Sequence, residues 1–406
     1  MTDHKYRRTL AATVLSNLVL LAGVFAFGWD PRLVLLLYWF EAGLAVAREA
    51  TQSLFAALPP SEAYKPTGTR APFPLKPLAD VHGGVRLVRW LPAIYPRNIP
   101  YILLTLFPLV AFWPLGGLLL TGVLGPFVET FVPPATLALG ALAVLVSQVF
   151  QLTDWLNSGE YETVAATGGG SKKYLILVFV LAFVAPFVVG SIEAAGVAQT
   201  GLGLVVVGSK SVYDYVELRH PGFIRSTVFT DETVGEESTV EVPDGEPIAV
   251  FSTDRRAEFV SSVFSGVLFS FFGPTLFVVL LGGLAGLLVG GGLFGTPTGP
   301  AIGAAIGVTG VVVSRVLAEF VVGWVVGAHL VYRVYPDAVV AYNTLTDEAQ
   351  WLVPREEISD VSISNGPLAT VLPEWYSALR IEKYGGESRK LAYFADVDSV
   401  AKLLET

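Results

Sequence analysis

Residues 260–289 read VSSVFSGVLFSFFGPTLFVVLLGGLAGLLV, and residues 301–331 read AIGAAIGVTGVVVSRVLAEFVVGWVVGAHLV. Each run exceeds the roughly 20 apolar residues that cross a bilayer core as a helix. Working outward, six further apolar stretches precede them, at about 10–27, 33–55, 101–120, 134–152, 174–192 and 195–213. Of the 26 basic residues, all but Arg32 and Arg315 fall at the N-terminus, in alternate gaps, in the C-terminal tail or, for Arg48 and Lys210, at span ends beside those gaps. Under the positive-inside rule this distribution predicts an even number of crossings with both termini cytoplasmic. The expected class is a polytopic α-helical membrane protein of about eight transmembrane helices, multi-pass in the cell membrane, with a small C-terminal cytoplasmic β-domain.

Composition agrees with a chain solved partly against lipid: 53% of the 406 residues are hydrophobic, above the usual soluble range. The first stretch follows Lys5, Arg7 and Arg8 but has no small-residue cleavage site after Phe27, so it is read as retained rather than as a secretory signal. Cysteine is absent, which excludes disulfides and thiolate metal sites. The net charge is −9, with nine carboxylates from Asp231 to Glu258 and twelve against seven basic residues from Tyr332 onward. This acidic, Lys-poor make-up, nine Lys against seventeen Arg, resembles proteins of salt-loving archaea; an ordinary mildly acidic membrane protein is the alternative. At multimolar salt the Debye length is about 3 Å or less, so attraction to nucleic acid would be weak, and no nucleic-acid partner is expected.

Four blocks follow from the pattern: a six-helix membrane domain at 1–220, an acidic cytoplasmic loop at 221–257, a two-helix membrane hairpin at 258–331 and a β-patterned domain at 332–406. In the Pro-rich loop 56–98, residues 75–91 have apolar positions near helical spacing and include Trp90. They read either as a short helix on the inner membrane surface or as a solvated linker. Gly168-Gly169-Gly170-Ser171 is a flexible joint, since no Gly-Lys-Ser/Thr ending follows it. The seventh and eighth stretches are too long for perpendicular crossings, and tilt, a kink at Pro274 or cytoplasmic extension must absorb the excess. Gly282, Gly286 and Gly290 match Gly303 and Gly307 in four-residue spacing, which predicts a tightly packed helical hairpin.

After Val331 the period changes to two. Strands are predicted near 334–335, 338–342, 350–353, 358–364, 377–384 and 389–394, parted by Pro336-Asp337, Thr346-Asp347-Glu348, Asn365-Gly366 and Gly385-Gly386. Asp396 or Asp398 can cap a final helix with Val397, Val400, Ala401 and Leu404 on one face.

Asp244-Gly245-Glu246-Pro247-Ile248 before the hairpin, Val331-Tyr332-Arg333-Val334 leaving it, and Val353-Pro354-Arg355-Glu356-Glu357-Ile358-Ser359-Asp360-Val361 beyond resemble the bacterial pleckstrin-homology-like membrane domains. The likeness covers about 160 residues and implies a cytoplasmic docking module without catalytic residues. It also implies that 248–252 forms a strand paired with the C-terminal domain across the whole hairpin. The clustered Lys/Arg with which some eukaryotic relatives hold phosphoinositides are missing. Asn17-Leu18-Val19, Gly28-Trp29-Asp30, Tyr38-Trp39-Phe40-Glu41 and Lys210-Ser211-Val212-Tyr213-Asp214 resemble the signature of an uncharacterised archaeal and bacterial multi-pass family, domain of unknown function 6498. That likeness spans roughly residues 10–220 and implies an architecture but no chemistry.

Ionisable groups within apolar stretches are the first candidates for function, because charge in hydrocarbon costs about 2.5–3.5 kcal/mol even on lenient scales. Asn17 and Glu41 fall at similar depth on adjacent antiparallel stretches. A protonated Glu41 bonded to the Asn17 amide would satisfy both, and a proton or ion relay is the alternative reading. Arg315 and Glu319, four apart, can form an intrahelical ion pair. Lys210 and Asp214 repeat that spacing, with Tyr213 and Tyr215 as interfacial anchors. The four histidines His4, His82, His220 and His329 are widely separated, and there is no metalloprotease pair, nucleophile elbow, P-loop or dinucleotide fingerprint. No catalytic, metal or cofactor residues are assigned, and no enzyme activity is expected. The reading is an integral membrane scaffold or regulatory protein, with the bilayer, a protein at the β-domain and another copy of itself as candidate partners. The alternative is a transporter or channel using Glu41, Asn17 and Arg315.

Overall fold

The computed structural model describes residues 31–59, 75–103, 106, 109, 113, 134–166, 208, 211, 212, 215, 240–294, 296–365, 377–386, 388–391, 394 and 397–405. The chain divides into two compact units, Met1–Lys65 with Tyr101–Glu236, and Pro66–Pro100 with Glu237–Thr406.

The described residues of the first unit are mainly helical. Its described helices are α1 (Pro31–Phe55) and α2 (Pro134–Ser158). They pack together, and Gly140 of α2 makes room for Leu37, whose Cδ1 lies 2.9 Å from where a Cβ would stand. Trp39 of α1 stacks on Trp113 at 6.4 Å between centroids and 7° between planes. The Trp113 indole N–H donates to the Trp39 carbonyl at 2.9 Å. Past α1, the Ala57 N–H donates to Tyr161 O at 2.8 Å and that of Leu58 to Val164 O at 3.1 Å, fixing the ends of the two helices side by side.

In the longer segment of the second unit, strand β1 (Ala249–Ser252) is followed by α3 (Arg255–Ser270), α4 (Gly273–Phe294) and α5 (Gly299–Val322). Asp254 caps α3, its carboxylate accepting from the N–H groups of Arg256 and Ala257, a contribution of about 1 kcal/mol. α4 and α5 form the hairpin that the glycine spacing predicts. A Cβ on Gly286 would fall inside the carbonyl of Gly303, and one on Gly307 inside that of Gly282, so the seam requires bare backbone. α3 continues along the other half of α5, where a Cβ on Gly266 would stand 2.7 Å from Val316 Cα and Phe259 meets Phe320 edge-on at 5.6 Å.

Beyond α5, a π-turn (Gly323–Gly327) leads into β2 (Leu330–Val334), β3 (Ala338–Asn343), β4 (Glu348–Pro354), β5 (Ile358–Asn365), β6 (Ser377–Lys383), β7 (Ser388–Leu391) and α6 (Val397–Glu405). Two antiparallel sheets result, ordered β1-β2-β3-β4 and β5-β6-β7. β1 pairs with β2 from Ala249 opposite Val334 to Ser252 opposite Val331, so the strands flanking the three helices are neighbours. The core holds Tyr332, Val339, Leu379, Ile381, Leu391 and Phe394. α6 closes it with Val397, Val400 and Leu404, the face that their spacing predicts.

The structure corrects the expectation of about eight transmembrane helices. Among the described residues one helix, Gly299–Gly327, is long and apolar enough to cross a membrane. The bent pair Arg255–Ser270 and Gly273–Leu287 makes a second candidate if it is one span, broken by 69°. Length and hydropathy do not distinguish a bilayer crossing from a helix packed in protein, and α1, read as the second span, carries Glu41, Arg48 and Glu49 and buries Val34, Trp39 and Val46. The seventh stretch divides at Phe271-Phe272, where hydropathy does not fall but Gly273 adopts φ +59° and Pro274 starts a new helix. What was read as a two-helix hairpin therefore contains three helices. The stretches at 10–27, 174–192 and most of 195–213, and most of the acidic loop, lie outside the described residues.

Residues 75–91 do not form a surface helix, and only their second half, 86–90, is exposed throughout. Only Lys76–Asp80 coil, as a 3₁₀ turn. Leu75, Leu78 and Val81 are buried against Val321, Val322 and Val325 near the end of α5. The chain then turns at Gly83, φ +83°, and forms a short hairpin bridged between Val85 and Ile94. Pro77 and the Gly83-Gly84 pair stop a helix that the apolar spacing alone suggests.

Candidate functional site

Several buried polar groups of the second unit converge where α5 unwinds into the β-domain. A helix end leaves carbonyls without intrahelical partners, and the π-turn redistributes them. The Ala328 N–H bonds to Gly323 O at 2.8 Å. Asn343, fully buried at the end of β3, donates from Nδ2 to Val325 O at 2.7 Å and accepts at Oδ1 from the Leu345 N–H at 2.9 Å. The Thr253 hydroxyl, between β1 and α3, reaches Gly327 O at 3.0 Å. Two side chains from flanking strands thus tie the helix end to the sheet, each bond contributing about 1 kcal/mol net and more if broken in a buried setting.

Around this joint stand Glu258, Ser262, His329 and the Arg315–Glu319 pair. Gly323 and Gly327 leave room for Ser262 and Glu258, since a Cβ on Gly327 would meet Glu258 Cγ at 2.8 Å. Arg315 Nη2 and Glu319 Oε1 are 2.7 Å apart, with Arg315 only 5% exposed. His329 packs edge-on to Trp324 at 4.9 Å, and its carbonyl accepts from the Thr344 N–H at 2.9 Å. Burial, aided by the Arg255 charge, holds the His329 imidazole below its ordinary pKa, so it is neutral at pH 7.

The loop 75–100 completes the site. The His82 N–H donates to Gln350 Oε1 at 2.9 Å, and Gln350 Nε2 returns a bond to His82 O at 3.0 Å. This reciprocal pair fastens the loop to β4. Among the described residues no group of three or more His, Asp or Glu is placed to hold a metal ion.

Of the residues singled out in the sequence, Arg315 and Glu319 come together at this joint, while Glu41 belongs to the first unit. In that unit Arg48, expected at a span end, donates to Gln151 of α2 and feels the charges of Glu49 and Glu41. Asn17, Lys210 and Asp214 lie outside the described residues, and with them the Asn17–Glu41 pairing. Sequence reasoning missed Thr253, Glu258, Asn343 and Gln350. Thr253-Asp254 before a helix carries a capping signal that could have marked the first of these; Asn343 and Gln350 sit in strand patterns and acquire their roles only through tertiary contacts.

The comparisons with known proteins bear on the other half of the chain. Residues 2–228 match the model of DUF6498, a family of unknown function. The match ends ahead of β1, and no family match supports the pleckstrin-homology-like likeness of the C-terminal region. No curated protein and no solved structure matches the chain. With more than half of its 406 residues covered, the chain belongs to DUF6498, a family of unknown function.

Proposed function

We propose that this chain is a non-enzymatic membrane scaffold or regulatory protein: the α4–α5 hairpin sits in the cell membrane, and the β-domain offers a docking surface to a partner protein on the cytoplasmic side. The observation that carries the reading is the inverted packing of the hairpin. Its seam is glycine, whereas Phe277, Leu280, Leu284, Ile302, Ile306 and Leu317 are exposed on its outer faces. In water such a surface is an unsatisfied apolar patch; in lipid it is the usual arrangement of close-packed helices. Arg255, Arg256 and Arg333 lie at the β-domain end, and residues 294–300 at the opposite turn carry no charge, which supports a cytoplasmic β-domain. The pleckstrin-homology-like reading of that domain belongs to this proposal and draws support from its four- and three-stranded sheets and closing helix.

The transporter alternative gains no support from Arg315, which pairs with Glu319 one turn away on its own helix. Alkaline carbonate washing of membranes tests the anchoring. The full chain should stay in the pellet, and Leu280→Lys with Leu284→Lys should release it, since each charge in hydrocarbon costs about 2.5–3.5 kcal/mol. Release of the unaltered chain would refute the reading.

A further inference from the structure

The hairpin that follows the buried Leu75, Leu78 and Val81 ends in a tip that the fold does not account for. Val85 and Ile94 exchange backbone hydrogen bonds at 2.8 and 2.9 Å, and the Leu91 N–H closes the turn on Val88 O at 3.2 Å. Between them, every residue from Arg86 to Trp90 is exposed, with Leu87 at 71% and Trp90 at 79%. Among the described residues neither Arg86 nor Arg89 has a carboxylate partner. Two arginines alternating with Leu87, Val88 and Trp90 thus make a basic, apolar tip on a chain whose net charge is −9.

The stem seats the hairpin beside the end of α5. Leu75, Leu78 and Val81 pack on Val325 and its neighbours, one residue along the chain from Trp324, which is exposed and meets Phe320, itself edge-on to Phe259. An exposed Trp beside aromatic rings at the end of an apolar helix marks the lipid–water boundary if that helix crosses a bilayer. The tip lies about three residues beyond the Val85–Ile94 bridge, a reach of roughly 10 Å, comparable with the headgroup zone of a bilayer.

We propose that residues 86–91 form a lipid-contacting loop: Leu87, Val88 and Trp90 enter the headgroup–acyl boundary, and Arg86 and Arg89 bind phosphates of anionic phospholipids. The inference rests on the hairpin of α4 and α5 being in the membrane, and adds a second, shallow attachment beside it. Trp suits that boundary because its ring is apolar and its N–H can reach water or phosphate. Arginine adds forked hydrogen bonds to phosphate oxygens. The partner is thereby specified as a negatively charged lipid surface.

The test uses the absence of cysteine. The full chain carrying Leu87→Cys, labelled with an environment-sensitive fluorophore, is reconstituted in phosphatidylcholine–phosphatidylglycerol vesicles containing lipids brominated near the headgroup or deep in the acyl chain. Leu280→Cys on α4 reports the hairpin, and Tyr384→Cys, 74% exposed on the β6–β7 turn, reports water. The expected result is quenching at position 87 by shallow bromine, at position 280 by deep bromine, and at position 384 by neither. Arg86→Gln with Arg89→Gln should bring the signal at 87 down to its level in pure phosphatidylcholine. Quenching at 280 with none at 87 overturns the loop and leaves the hairpin reading standing, and would follow if another protein or a second copy covered the tip. Quenching at 87 with none at 280 supports the loop and removes the hairpin. No quenching at either removes both, and a signal at 87 indifferent to the two arginines overturns the claim of phosphate binding.

Discussion

Between α4 and α5 the inward positions are Gly282, Gly286, Gly303 and Gly307, and the outward ones Leu280, Leu284 and Ile306. Between the sheets of the β-domain the inward positions are Tyr332, Leu379, Ile381 and Leu391, and the outward ones include Arg380, Glu382 and Lys390. One chain thus places bulky apolar groups outside in one region and inside in the other. The hydrophobic effect drives the second arrangement, because burying each large side chain removes apolar surface from water. It cannot drive the first, where small residues bring backbones together and dispersion and shape hold them. On the proposed membrane reading the two regions suit different solvents, lipid and water, and α5 leads from one to the other through the π-turn.

The contrast is broken most severely in the β-domain. Tyr332 is fully buried and touches Trp351 and Phe394 at 5.8 and 5.3 Å between centroids. Tyr332→Ala should cost about 3–5 kcal/mol in denaturant titrations of the full chain in detergent, as for other large-to-small aromatic truncations. Leu280→Ala, 62% exposed on α4, should shift the same titration by less than about 0.5 kcal/mol. Equal losses would mean that the outer face of α4 is a packed core, and the inversion would be an error.

The glycine seam supplies the next largest effect. Gly286→Ala puts a methyl against the carbonyl of Gly303 and should destabilise by about 1–3 kcal/mol, the usual range for overpacking. Gly310→Ala on the same pair of helices meets nothing within 4 Å and should be neutral or stabilising by up to about 1 kcal/mol, since alanine is the better helix former. If both substitutions are neutral, the helices are not in close contact at Gly286.

The joint between the regions comes third. Asn343→Ala strands the Val325 carbonyl and the Leu345 N–H and should cost about 1–2 kcal/mol. Because the bond ties the π-turn to β3, the same variant should raise amide exchange at residues 323–328 more than at 379–381. Uniform loosening would show that the joint has no local role.

Much of the β-domain was legible in the sequence because alternation reports directly which face of a strand is buried. The strands expected near 338–342, 350–353, 358–364 and 377–384 coincide with β3, β4, β5 and β6, and the strand expected at 248–252 pairs with β2 despite the intervening helices. The glycine spacing at 282, 286, 303 and 307 likewise encodes its contact. Other features are signalled weakly or not at all. Phe271-Phe272 is as apolar as the helices on either side, so hydropathy does not show the 69° break; its one local mark is Pro274, where a kink was among the expected alternatives. The apolar spacing of Leu75, Leu78 and Val81 mimics a helix, but those residues face inward from a 3₁₀ turn and the coil after it. The eight-span expectation failed for a related reason: an apolar run states that residues avoid water, not whether lipid or protein covers them. At the candidate site only the i,i+4 pair Arg315–Glu319 was visible in advance, because Asn343, Thr253 and Gln350 bond to groups between 18 and 268 residues away.

The smallest expected effect concerns the pH response of the joint. His329 is partly buried against Trp324, its Nε2 finds no hydrogen-bond partner among the described residues, and burial followed by the Arg255 charge lowers its pKa below the ordinary 6.5. The unfolded chain therefore takes up a proton near pH 6.5 while the folded chain resists until lower pH. Since the unfolded state binds more protons in that window, stability must rise with pH there and fall as pH drops from about 6.5 through the lowered folded value. Above 6.5 both states are neutral and the contribution is flat. His329→Gln removes the titration without adding charge, so denaturation midpoints measured from pH 7 down to pH 5 should fall less steeply in the variant than in the parent. An unchanged slope would assign the acid sensitivity to carboxylates elsewhere and show that water reaches the imidazole. That would place this end of α5 in the solvent of the β-domain rather than at the boundary between the two regions.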